Sequence, residues 1–473
     1  MNSLCAPTLR RPSAAQLLAS ASLFLAFSLH AAPARADVPL PRSATALVSE
    51  LGVAGLLADV TQTGQGDVAP LRLANVDDLA AHTALDAEVR VRASAPHHLS
   101  ALEPGADVVR SSVFHRERLG AAFAQGPVDA HVQFQASGAF GDSDPGTSQL
   151  PQVGLQQAVV RLQAPTLKWL SAEMGRMVLD YGAGRMIGAY DFQAASNVFD
   201  GMRVRMSYQK YLDIDLIAVK LRRNSTEPDQ DRNLFGAYMT GQPHEHLRAE
   251  LYVLYLVDGT ANGHAYLTTM GTRLDWHPAH WLSGEIEAAL QVGAEDKAGH
   301  GDRQSLIGSA FFGEIASHVP VGHGSISFAP FTQFYSGAPT PTGNVQTATA
   351  WRPLYPSLDQ VVGLLQLFKQ TNLLQNGGRI RWQAAPTLAL DLNGRASASR
   401  DNAPLPGFGN PTLTGDGGWR MLGTEFDLLA RWQLLRSSEL FVGAGLFLPA
   451  DSVKTIVGKD VASQILAQWT SRF

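Results

Sequence analysis

From about residue 85 to its end, the chain repeats one arrangement: segments of ten to fifteen residues in which apolar and polar side chains take turns, punctuated by Gly, Pro, Asn and Asp. Leu388, Leu390, Leu392, Gly394, Ala396 and Ala398 alternate with Ala389, Asp391, Asn393, Arg395, Ser397 and Ser399. Phe426, Leu428, Ala430, Trp432 and Leu434 alternate with Glu425, Asp427, Leu429, Arg431 and Gln433, and the same pattern runs through 282–292 and 85–94. Successive side chains of a strand point to opposite faces, so each segment carries one apolar and one polar face. A half-buried sheet in a water-soluble sandwich alternates too, but its strands usually hold about five or six residues. Segments twice that long match a tilted bilayer crossing. About eighteen can be counted, centred near residues 90, 117, 133, 158, 172, 206, 216, 237, 250, 270, 287, 309, 330, 382, 392, 428, 444 and 467. An even number suits one chain that closes into a barrel, and closure is required because hydrocarbon leaves no partner for an open sheet edge. The expected fold is all-β: a transmembrane antiparallel β-barrel of about 18 strands spanning residues 82–473.

Composition excludes the other membrane class. The mean hydropathy is −0.04, and the one long apolar run lies at the extreme N-terminus, so a polytopic helical protein is ruled out. That run reads as a signal peptide over residues 1–36: Arg10 and Arg11 precede the uncharged stretch Leu17 to Leu29, and Ala34-Arg35-Ala36 offers a small-x-small cleavage site. Removing it takes away Cys5, the single cysteine, and with it disulfides, thiol nucleophiles and cysteine metal sites. It also leaves 34 basic against 42 acidic residues, a net charge of −8, so nucleic acid is a poor partner. Residues 37–81 do not alternate. Ala44 to Val60 reads as a short helix within a periplasmic or plug-like segment.

The C-terminus adds a specific feature. Phe473, Trp469, Ala467 and Ile465 share one face of a last strand, against Arg472, Thr470 and Gln468. An alternating strand that ends in an aromatic resembles the signal by which bacterial outer-membrane barrels are recognised by their insertion machinery. That resemblance implies outer-membrane lipid and the insertion machinery, through Phe473, as partners. Trp276, Trp281, Trp382, Trp432, Trp469, Tyr252 and Tyr266 sit in or beside strands, where interfacial girdles use aromatics. The longest connection, about 337 to 372, runs through four prolines into SLDQVVGLLQLFKQTNL and is expected either outside the barrel or folded into its lumen.

A second loop, 182–200, carries a family resemblance. The run from Gly175 through Arg176, Tyr181, Arg185 and Tyr190 to Phe192, with Asn197 to Arg203 after it, resembles a motif of the alginate export family of outer-membrane channels. LYPSLDQVVGLLQLFKQTNL, LGTEFDL at 422–428 and the closing SRF resemble other parts of that family. The resemblance implies short periplasmic turns, long extracellular loops, an Arg-bearing lumen that passes an acidic polysaccharide, and a periplasmic polysaccharide-export scaffold as partner. It carries Arg185, Asp191 and Asp200 over as candidates at a loop constriction, or as anchors of the loop to the wall.

Read from parity alone, the polar faces hold Arg90, Arg92, Arg161, Arg203, Arg205, Arg248, Arg273, Arg379, Arg381, Arg395 and Arg431, against as many carboxylates, Glu88, Asp391, Glu425 and Asp427 among them. Equal numbers fit a sealed network of ion pairs, or a conducting path with separate basic and acidic walls. Arg203 and Arg205 beside Asp200, and Arg379 with Arg381, are the first clusters to test. Arg176 breaks the alternation of its strand and is expected past the membrane or at a bulge. For catalysis the signals are weak. His244 with His246 and His277 with His280 lack further ligands at zinc spacing, and no GxSxG or HExxH occurs, so neither an enzyme nor a cofactor is expected. A general or small-solute porin, a barrel enzyme and a plugged structural barrel remain as alternatives to polysaccharide passage.

Overall fold

The computed structural model describes residues 82–97, 111–141, 152–193, 196–209, 211–222, 232–259, 265–296, 303–337, 347–401, 415–454 and 461–473. The expected signal peptide and the segment 37–81 lie outside the described residues. The strands are β1 (Thr83–His97), β2 (Ser112–Gln125), β3 (Val128–Phe140), β4 (Gln152–Gln163), β5 (Leu170–Met177), β6 (Val198–Tyr208), β7 (Leu212–Arg222), β8 (Arg232–His244), β9 (Leu247–Asp258), β10 (Ala265–Ala279), β11 (Leu282–Asp296), β12 (Arg303–Val321), β13 (Gly324–Tyr335), β14 (Thr347–Ala348), β15 (Leu373–Ala385), β16 (Leu388–Arg400), β17 (Trp419–Leu435), β18 (Ser438–Pro449) and β19 (Ala462–Arg472). One helical turn, α1 (Leu358–Val361), stands among them.

These strands form a single sheet. β14 is a two-residue piece lying parallel to β12; the other eighteen pair antiparallel in chain order. β13 passes directly to β15, from Ser325↔Gln383 to Tyr335↔Leu373. β19 returns to β1, from Glu88↔Arg472 to His97↔Ser463, so the sheet closes and no edge is left. The seam is tightened at its end by Phe473, whose amide donates to Ala87 O at 2.9 Å and whose carbonyl accepts from Ala87 N at 3.0 Å. All eighteen segment centres read from periodicity fall within these strands.

The wall is inverted relative to a water-soluble protein. Leu119, Phe134, Ile315 and Leu428 are more than half exposed, whereas Arg116, Glu250, Gln291 and Glu425 are fully buried. Alternation dictates this: apolar positions turn outward to lipid and polar ones turn into the lumen. Trp169, Tyr208, Tyr211, Trp281, Trp382 and Trp432 stand exposed beside the short turns, a belt suited to a headgroup interface. Tyr252, expected among the girdle aromatics, points the other way. It is inward and buried, its hydroxyl donating to Glu287 at 3.0 Å. Two-residue turns such as 126–127, 245–246 and 386–387 join strands at one end; the longer connections lie at the other.

Candidate functional site: two loops inside the barrel

The described parts of the connection after β5, 178–193 and 196–197, and the stretch 349–372 fold into the lumen, which decides between the two placements expected for the longer connection. They grip each other through their backbones. Tyr355 N donates to Met186 O at 2.9 Å, Gly188 N to Tyr355 O at 2.8 Å, and Ser357 N to Gly184 O at 2.9 Å. Tyr190 N donates to Ser357 Oγ at 2.9 Å, and within the first loop the Asn197 side-chain amide donates to Gly188 O at 2.9 Å. Their apolar residues, Leu179, Ile187, Trp351 and Phe368 among them, are buried against inward-facing Leu234, Leu254, Leu306 and Phe447. Thus the long-loop end of the lumen has an apolar core that parity along the strands alone would not suggest.

Charged side chains then pin this pair of loops to the wall. Asp191 receives Arg90 at 2.9 Å and Arg116 at 3.0 Å, and pairs with Arg118 at 2.9 Å. Its carbonyl accepts from Arg90 at 2.6 Å and Arg116 at 3.1 Å. Burial alone would raise the Asp191 carboxyl, but the guanidiniums of Arg116, Arg118 and Arg90 outweigh it and hold the group well below the usual range. Arg92 donates to Phe192 O, lies 3.7 Å from that ring's centroid, and bonds Gln468 at 2.9 Å. Across the lumen, Arg185 pairs with Glu285 and Glu287, its guanidinium 3.4 Å from the Phe312 centroid. Glu285 and Glu250 are bridged by Arg273, at 2.9 Å to each.

Two glycines are forced by this close approach. Gly182 has φ +59, and a Cβ there would stand 2.9 Å from the Tyr238 hydroxyl and 2.7 Å from Glu250 Oε2. Gly363 has φ +118, and a Cβ would collide with Glu425 Oε1 and lie 2.9 Å from Arg395 Cζ. Both conditions exclude ordinary side chains.

Several sequence-derived site residues sit elsewhere than expected. Arg176 and Asp200 are cross-strand partners on the outward face, in line with Met174 and Met202, and form a two-pronged pair at 2.7 and 3.0 Å. They do not line the lumen, and the strand pairs there without a register shift, so no bulge carries Arg176. Arg203 and Arg205 do turn inward, but their partners are Glu173 and Asp215 rather than Asp200; Arg205 reaches Asp215 twice at 2.7 Å. Glu425 faces inward yet is sealed under loop 363–365, whose Leu365 N approaches it at 3.3 Å, so it anchors the loop and is absent from the path. Arg116 and Arg118 were missed because alternation is weak around 109–124. The acidic tip they hold, Asp191, was legible.

A cavity of about 600 Å³ lies between the loop tip and the wall of β12, β13 and β15 to β18. Its wall carries Arg379, Arg381 and Arg431, with side chains 46%, 55% and 42% exposed. Their carboxylates lie beneath: Glu314 and Asp391 are 14% and 7% exposed. Arg381 and Arg431 share Asp391, at 2.5 and 2.7 Å, so two guanidiniums meet one carboxylate. Facing this basic row, the loops offer Asp191 and Asp359. Charges of both signs line the cavity, and among them the guanidiniums of Arg379, Arg381 and Arg431 are the more exposed partners of their ion pairs. Exposed guanidinium forks bind carboxylates and phosphates reversibly where water competes. One Ser–His contact, Ser283 Oγ to His318 Nε2 at 2.8 Å, also faces this cavity, and no carboxylate orients the imidazole among the described residues.

A closed, outwardly apolar barrel whose charged lumen is narrowed by infolded loops belongs to the channel-type β-barrels of the outer membrane. The family model described as alginate export matches residues 82–465, and the chain belongs to that family. Its fold is similar to that of the outer-membrane protein OpdK of Pseudomonas aeruginosa, with a TM-score of 0.57 at 13% identity over 83% of this chain and 99% of that one. OccAB3 of Acinetobacter baumannii gives 0.56 at 10% identity over 83% and 100%, and OprD of P. aeruginosa 0.53 at 13% over 83% and 95%. No curated protein matches the chain.

Proposed function

We propose that this barrel is a passive channel for anionic solutes, an acidic polysaccharide of the alginate type being the solute class its family suggests. The observation that carries the reading is the row Arg379, Arg381 and Arg431, open to the lumen while its carboxylates are covered. An anion crossing the cavity exchanges water for guanidinium contacts at each step, with binding weak enough for release because the side chains stay hydrated. No step requires a covalent intermediate, and among the described residues the Ser283–His318 contact has no third group that would activate a nucleophile. A small-solute porin is the second reading, favoured by the loops pinned inside the barrel beside a cavity of about 600 Å³.

Conductance in planar bilayers tests both. Anion preference with concentration-dependent block by a uronate polymer is the expected result. Anion preference with block by uronate monomers alone selects the small-solute reading, and a cation-preferring pore rejects the anionic one.

A further inference from the structure

The loops place in the cavity one carboxylate, that of Asp359, with no guanidinium in ion-pair contact among the described residues. Asp359, on α1, lines the same cavity as the exposed arginine row, and its buried Oδ1 has no hydrogen-bond partner among the described residues. Asp191, the other loop acid there, is fixed by three arginines. We propose that Asp359 sets the channel's selectivity by its protonation state: ionised, it opposes the basic wall and holds back anions; neutral, it leaves that wall unopposed and anion passage rises. The inference rests on the channel reading above.

Burial raises the Asp359 carboxyl to about 6, against its own and the Gln360 backbone N–H and the charge of Arg92; the charge of Asp191 adds to the rise. The sign follows: at pH 8 the group is ionised, and at pH 5 it is about 90% neutral. The charged and titratable groups facing it are Arg90 and Arg92 on β1 and Asp191 and Arg185 on the neighbouring loop. Across the cavity stand Glu314 and His318 on β12, Arg379 and Arg381 on β15, Asp391 and Arg395 on β16, Asp427 and Arg431 on β17, and Glu439 on β18. His318 lines the same cavity and serves as the control position.

Reversal potentials across a KCl gradient, read at pH 5 and pH 8 in planar bilayers, decide the matter. The wild-type chloride-to-potassium permeability ratio is expected to rise about two- to tenfold from pH 8 to pH 5, the effect of removing one charge from the lining of a partly screened cavity. Asp359→Asn should show the pH 5 ratio at both values, Asp359→Glu should restore the response, and His318→Gln should keep it. A wild-type ratio indifferent to pH, a response that survives in Asp359→Asn, or one lost in His318→Gln overturns the proposal while leaving an anion channel standing. No conductance at either pH overturns the channel reading itself.

Discussion

A guanidinium acts on a permeating ion according to the face of the wall on which it stands. Arg381 and Arg431 stand inside, half exposed, over a shared Asp391, and Arg176 stands outside, closed onto Asp200. Replacing Arg381 and Arg431 together by Ala is expected to lower the anion preference about two- to tenfold by the same screened-charge argument, whereas Arg176→Ala should leave the reversal potential unchanged. Planar-bilayer recordings of the two proteins check this, and a selectivity change in Arg176→Ala would place that residue back in the path. Parity puts Arg379, Arg381 and Arg431 on the polar face of unbroken alternating runs, and all three line the cavity. It could not say that Glu425, of the same parity, would be roofed by loop 363–365, since that contact joins residues about sixty positions apart.

At the level of elements, the strands were readable and the packing of the loops was not. A membrane strand needs only alternation and length, and both are local. The loops are held by contacts that no local pattern encodes: Asp191 to Arg116, Arg185 to Glu287, Val361 O to Gln333. Their apolar residues, Val361, Val362, Leu365 and Phe368, read as a continuous run, which predicts burial without saying against what. Phe368 is 1% exposed, its ring centroid 5.7 Å from that of Phe447. Truncating it in Phe368→Ala should cost about 3–5 kcal/mol if the loop stays docked. Urea unfolding from lipid vesicles, followed by tryptophan fluorescence, measures that loss. Unchanged stability together with larger single-channel conductance would mean that the loop leaves the wall instead.

The whole molecule is an inside-out solution of the usual packing problem, with its solvent-facing shell made for hydrocarbon. Leu428 lies mid-strand, 56% exposed, beside Leu392 and Ala444 of the neighbouring strands. Leu428→Arg is expected to destabilise the barrel by about 2–4 kcal/mol, the effect of a cation at the bilayer midplane. Equilibrium unfolding in vesicles checks it, and a neutral result would place Leu428 away from the hydrocarbon centre. Closure also has a kinetic side. Arg472 meets Glu88, 384 positions earlier, and Phe473 fastens to Ala87 beside it. The first strand must therefore wait, with one edge unpaired, until the last has been made and delivered, so closing the circle is the most non-local event in assembly. Contacts of such sequence separation form slowly. The interval before the circle shuts is when β1 is open to strangers, and any factor that shields that edge would govern how much of this protein reaches its barrel at all.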